Sequence, residues 1–289
     1  MPVHEIISMK VLLKKFEYRL ADKVSVFVTF LIAINVIIVK IPIYRLFIGF
    51  YEYEVAKNIE RSIHGFIIIL GSIFLIKRMG LTKLSGIRLF RIASPWLLII
   101  PFIYPMGLGY YNFSGIEWNE VDVAAISLAF LAILLKGLAE EYAFRGLLLS
   151  YLIKNLSHKK SLFKIICLSA IFFALMHIIN ISRYGIIDVI NQVIAAFFFG
   201  VFFGSLLLRT NNVFILGIIH GLINFVFQFR AIAKNNIPEE PKYLYSFSDI
   251  IVAILRYSLF FLPLFFIGFY LIRRRSHLIV SNGQSKETA

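Results

Sequence analysis

Six polar residues stand out because their types and spacing suit one kind of chemistry. Glu140, Glu141 and Arg145 lie in "AEEYAFRG" (139–146), His177 in "IFFALMHIIN" (171–180), and His220 and Asn224 in "GIIHGLINF" (217–225). Carboxylate, imidazole and amide are the groups that amide hydrolysis requires. It needs a base for water, donors aimed at the developing oxyanion and a proton for the leaving amine. Glu141 and Arg145 stand four apart with the acid first, which places them on one helical face in the favourable order for an ion pair. Glu140 then projects about 100° away, free for another partner. Phe173 shares a face with His177, and His220 shares one with Asn224. Gly217 and Gly221 flank His220 as a small-xxx-small step that lets another backbone approach.

The elements that carry these residues are apolar throughout. The 289-residue chain is 60% hydrophobic and 16% charged, with mean hydropathy +0.83; soluble domains run about 45–50% apolar and about 25% charged. Several apolar runs reach the ~17–25 residues that a spanning helix needs. We place spans near 24–44, 62–77, 94–112, 123–153, 162–182, 186–208, 211–229 and 249–272, with Pro95, Pro101 and Pro105 kinking the third. The expected fold is all-α: a polytopic integral membrane helical bundle of about eight transmembrane helices, forming one membrane domain over 1–289.

The formal net charge of +14 is distributed as the positive-inside rule requires, which argues for a membrane and against nucleic acid as the partner. With the N-terminus inside, Lys10 to Lys23, Lys77 to Arg91, Lys154 to Lys164, Arg209 and the "RRRSH" close fall on the cytoplasmic side, and most of the acids fall outside. Eight spans then put both termini in the cytoplasm. The first 23 residues lack the apolar core of a cleavable signal and read as a basic amphipathic lead-in. With one cysteine, Cys167, no intramolecular disulfide is expected.

Charged groups at membrane depth cost about 2.5–3.5 kcal/mol each, so by default they face the protein interior and mark a function. At 1.5 Å per residue, Glu140 lies roughly 21 Å from Lys154, His177 roughly 20 Å from Lys164 and His220 roughly 12 Å from Asn212. All three therefore reach the central or cytoplasmic half of a layer about 30 Å thick. Rival proteolytic chemistries lack their residues: there is no HExxH, no GxSG, and Asp22, Asp122, Asp188 and Asp249 sit in loops or at span ends. A zinc site built from Glu140, His177 and His220 stays open, because these are ordinary zinc ligands. A proton relay in a transporter is the remaining alternative, although the chain lacks repeated halves. His64, Asn35, Asn191 and Gln192 are expected to hydrogen-bond between helices, Lys136 to snorkel or counter the nearby acids, and Gly200 with Gly204 to form a close helix contact.

The three segments resemble the CAAX protease and bacteriocin-processing family (CPBP, also called Abi), whose motifs are EExxxR, FxxxH and HxxxN or HxxxD on successive spans. Here they occur in order as "EEYAFR" (140–145), "FALMH" (173–177) and "HGLIN" (220–224). The resemblance covers residues 120–230 and implies a glutamate-type intramembrane endopeptidase acting on a peptide or lipopeptide. It implies that Glu140 activates water with help from His177, and that His220 and Asn224 stabilise the oxyanion. Glu141, Arg145 and Phe173 would support the site or position the substrate. No cofactor is implied, which favours a metal-free site over the zinc alternative. Relatives without catalysis imply a second reading, a membrane immunity or scaffold protein. A bacterial membrane is the expected location, with bacteriocin maturation or self-immunity the expected process.

Overall fold

The computed structural model describes residues 23–273, apart from 24, 30, 32, 88–91, 104–108, 110, 111, 115, 159, 183 and 234–245. The basic lead-in before residue 23, most of the loop after residue 233 and the "RRRSH" close beyond Arg273 lie outside the described residues. Seven helices are long and apolar enough to cross a membrane: α1 (Ser25–Leu46), α2 (Tyr53–Arg78), α3 (Val123–Leu156), α4 (Leu162–Ile181), α5 (Ile186–Thr210), α6 (Val213–Ala233) and α7 (Phe247–Arg273). Among the described residues there is no β-strand. The chain is thus an all-α polytopic bundle, and seven of the expected spans coincide with these helices. The second begins earlier than expected, at Tyr53 rather than near 62. The third expected span is described only in part. Its described start is a 3-10 helix, Pro95–Phe102, with Pro101 inside it. Closely spaced prolines remove backbone donors there and disfavour a regular α-helix.

Local signals set the helix ends near the polar segments. Asp122 caps α3 by accepting from the N–H groups of Ala124 (2.9 Å) and Ala125 (3.1 Å). Helix α5 stops at Asn211, whose φ of 51° is left-handed, and the Asn212 side chain accepts the Ile215 N–H at 2.9 Å to start α6. The Lys154 ammonium donates to Met79 O (2.9 Å) at the end of α2. Outward stripes such as Phe66, Leu70 and Phe74 on α2 are exposed at helical spacing, as a lipid-facing surface requires.

Helix α3 runs beside α2 and α6, while α5 runs beside α4 and α7. The two groups join at the middle of α3. There the helix is α-helical over Val123–Glu141, widens to π-helical turns over Tyr142–Leu149 and returns to α-helix over Ser150–Leu156. These widened turns touch α2, α4, α5 and α6 and are buried throughout. The fully buried Leu147, Leu149 and Leu152 pack there with Ile165, Phe202 and Leu206. Such π-turns recur at functional sites, and this one follows Glu140 and Glu141 directly.

Glycine fixes how closely the helices cross. A Cβ on Gly137 of α3 would lie 2.5 Å from Gly221 N and 2.9 Å from Gly217 O of α6. A Cβ on Gly217 would meet Leu138 Cα at 2.8 Å, and one on Gly221 would meet Leu134 Cα at 2.8 Å. The small-xxx-small step of α6 therefore packs against α3, with Gly137 as its counterpart. Gly200 likewise meets Ala170, and Gly204 meets Ile166, where α5 lies on α4, matching the close contact expected of them. Of the residues expected to bond between helices, Gln192 does so, accepting from Asn180 at 2.8 Å. Asn35 instead bonds within its own helix, to Leu31 O at 2.8 Å. Its position one turn beyond that carbonyl makes the local bond the nearer one.

Candidate active site

The α3–α6 crossing brings His220 between the two adjacent carboxylates. Its Nδ1 lies 2.8 Å from Glu141 Oε1, and its Nε2 lies 3.5 Å from Glu140 Oε2. Glu141 Oε1 also lies 3.0 Å from Arg145 Nη1. The expected pair of Glu141 and Arg145 is present, but it does not close on itself. Glu141 is shared with His220, and this contact is shorter than that of Glu140 with the same ring. Glu141 and Arg145 are 0% and 2% exposed, whereas Glu140 and His220 retain 19% and 17% exposure. The inner pair is sealed and the outer pair is accessible.

This asymmetry follows from position on α3. Glu141 directly precedes the buried π-turns, and its neighbours Tyr142 and Phe144 are also buried. Glu140, one residue earlier, keeps partial exposure, and Lys136 Nζ stands 3.6 Å from its Oε1. Lys136 therefore counters the acids directly, one helical turn away. The charges in the cluster balance: two carboxylates face two fixed cations, with the imidazole between them. Nδ1 of the ring is within hydrogen-bond range of Glu141, while Nε2 stands at the longer distance from Glu140. The site thus places one imidazole within reach of two carboxylates, one buried and one partly exposed. Buried Glu141 Oε2 and Arg145 Nη1 make no hydrogen bond among the described residues, so the inner pair is an ion contact with spare polar capacity.

Phe173 organises the far wall. The Arg145 guanidinium lies over its ring at 4.0 Å, a cation–π contact that helps hold a cation away from water. The same ring meets Phe144 at 5.1 Å, His177 at 5.1 Å and His220 at 6.2 Å, each edge-on. Phe173 is buried, so its contacts are with the machinery of the site. Phe203 of α5 also packs on His220, with ring centroids 5.7 Å apart. Sequence reasoning did not single out Phe203, because nothing separates it from its neighbours in the phenylalanine-rich "FFFGVFFGS".

His177 stands where α4 tightens into the 3-10 turns Met176–Ser182. Its Nδ1 lies 3.1 Å from Phe173 O. A donor at Nδ1 there leaves Nε2 as the reactive nitrogen. Its electrostatic neighbours are Glu140, Lys136 and His220, but no hydrogen bond joins it to them among the described residues. Asn224 lies one turn beyond His220 on α6 and is half-buried. Its backbone carbonyl accepts from Gln228 at 3.2 Å, while its side chain bonds to none of the carboxylates or histidines of the site among the described residues. Glu140, Glu141, Arg145, Phe173 and His220 are therefore in direct contact as a group, with His177 at their edge and Asn224 flanking them.

Among the described residues, no three His, Cys, Asp or Glu side chains converge in a way that holds a metal ion. The groups present are suited to proton transfer. Glu140 offers a partly open carboxylate, and His220 offers a ring oriented from behind by Glu141.

Against known proteins, the family model described as type II CAAX prenyl endopeptidase Rce1-like matches residues 122–226. That stretch runs from the cap of α3 to just past Asn224 and holds all three polar segments. The match agrees with the CAAX protease resemblance of the motifs and supports a protease embedded in a membrane. No curated protein matches the chain.

Proposed function

We propose that the protein is an intramembrane endopeptidase of the glutamate type, hydrolysing a peptide bond in a peptide or lipopeptide that reaches it through the membrane. The observation that carries this reading is the seating of His220 between Glu140 and the buried Glu141–Arg145 pair. A carboxylate behind a histidine fixes the orientation of its ring, as a donor aimed at a developing oxyanion requires. The Rce1-like match over the same residues supports it.

In this mechanism a water held between Glu140 and His177 loses a proton to the Glu140 carboxylate as its oxygen attacks the scissile carbonyl carbon. The carbonyl oxygen takes the negative charge and is met by donors from His220 and Asn224, which project from one face of α6. The C–N bond then breaks, and the proton held on Glu140 passes to the leaving nitrogen. Glu141 and Arg145 hold His220 in place throughout. The site operates without a metal, and the aromatic wall of Phe173 and Phe203 keeps bulk water out, which strengthens each electrostatic contact.

The setting we assign is a bacterial cell membrane with both termini cytoplasmic, which the placement of Lys and Arg supports. Peptide maturation or self-immunity is the process we assign to it. The test is cleavage of a candidate lipopeptide by purified protein in nanodiscs, followed by mass spectrometry. Glu140→Gln should abolish cleavage while leaving the melting temperature near that of the wild type. Full turnover in Glu140→Gln would overturn the mechanism.

A further inference from the structure

Lys136 is the exposed member of this polar cluster: its side chain is 56% exposed, while its partner Glu140 is 19% exposed. Its depth makes that exposure informative. Helix α3 has 34 residues, about 51 Å at 1.5 Å per residue, which exceeds a hydrocarbon layer of about 30 Å. Lys136 is 13 residues from Val123 and 20 from Leu156, so it falls in the middle third of the helix. An ammonium facing lipid at that depth would cost about 2.5–3.5 kcal/mol. The ion pair with Glu140 offsets part of that cost, and the exposed ammonium keeps the capacity to take a further polar partner beside the site.

The charge balance says what belongs there. In the resting protein Lys136 is countered by Glu140 at 3.6 Å, a contact too long for a tight charge-assisted hydrogen bond. When Glu140 takes the proton from water it loses its negative charge, and Lys136 is left facing the site without a counter-ion. Arg145 cannot move to help, since it is held by Glu141 and the Phe173 ring. A negative group on the substrate removes this imbalance. By pairing with Lys136 it also releases Glu140 Oε1 for the attacking water.

We propose that Lys136 is a specificity-determining residue that binds a carboxylate of the substrate close to the scissile bond. This rests on the peptidase reading for its biological meaning, though not for its test. Two sources share the chemistry, the free C-terminus of a peptide cut near its end and an acidic side chain within it.

The experiment measures binding and turnover separately in nanodiscs. The probes are dodecanoyl-tetraalanine as the free acid, the same peptide as its C-terminal amide, and an amide whose third residue is aspartate. Wild-type protein should bind at least one carboxylate peptide roughly tenfold more tightly than the plain amide, as expected for a hydrogen bond to a charged group. Preference for the free acid identifies the C-terminus as the source, and preference for the aspartate peptide identifies a side chain. Lys136→Met should bring the ratio to about one, and Lys136→Arg should keep most of it. For any probe that is cleaved, the loss in Lys136→Met should fall mainly on KM. Equal binding of all three probes by the wild type, or an unchanged ratio in Lys136→Met, would overturn the proposal. Selective, Lys136-dependent binding with no cleavage of any probe would leave the carboxylate site standing and count against the peptidase reading.

Discussion

Gly137→Ala places a methyl group at the closest approach of α3 and α6. The new Cβ would lie 2.5 Å from Gly221 N and 2.7 Å from Gly221 Cα, where ordinary contact begins at 3.4 Å. Both atoms belong to backbone and cannot turn aside, so the helices must part by roughly 1 Å, an overpacking that costs about 1–3 kcal/mol. His220 is one residue from Gly221, and its Nδ1 stands 2.8 Å from Glu141 Oε1. Moving α6 outward by that amount takes the contact past hydrogen-bond range. A displacement of about 1 Å at reacting groups can cost on the order of a hundredfold in rate. The expected outcome is a protein that still inserts and folds, melts several degrees lower in detergent, and loses one to two orders of magnitude in kcat/KM on a cleaved lipopeptide. Gly71→Ala is the control, since no atom lies within 4 Å of its would-be Cβ; it should retain both properties. Wild-type melting and wild-type turnover in Gly137→Ala would refute the view that this crossing positions His220.

Arg145→Ala should destabilise the fold by about 3–5 kcal/mol by leaving Glu141 buried without its counter-ion, read as lost folded yield or a lowered melting temperature. Replacing both partners together, Glu141→Leu with Arg145→Leu, should recover much of that stability yet leave cleavage lost, because nothing then orients His220. Asn224→Ala should lower kcat by about 10²–10³ if its amide serves the oxyanion, with the melting temperature nearly unchanged; a loss confined to KM would refute that role. Incubation with a chelator should leave the rate of lipopeptide cleavage unchanged. A loss that added zinc restores would replace the metal-free mechanism.

Much of this was legible in the sequence because it is local. Runs of about twenty apolar residues can satisfy their backbone within lipid only as helices, so the all-α membrane bundle followed from composition and run length. The Glu141–Arg145 pair followed from four-residue spacing on one helix, and the close packing of Gly217 and Gly221 from the absence of side chains. Spacing did not show that His220, 79 positions after Glu141, would face both carboxylates and make its shorter contact with the one already paired. Nor did it show the π-turns over Tyr142–Leu149, the counterpart role of Gly137, the Phe203 wall or the exposure of Lys136. Each of these depends on where two helices cross and how they are rotated about their axes. Summed side-chain packing over the whole bundle decides that, and no segment encodes it alone. The sequence by itself determined which groups are available and on which helical faces they lie. The tertiary structure decided that Glu141 is fully buried and Glu140 partly exposed, because only the packed bundle sets how much of each helical face its neighbours cover.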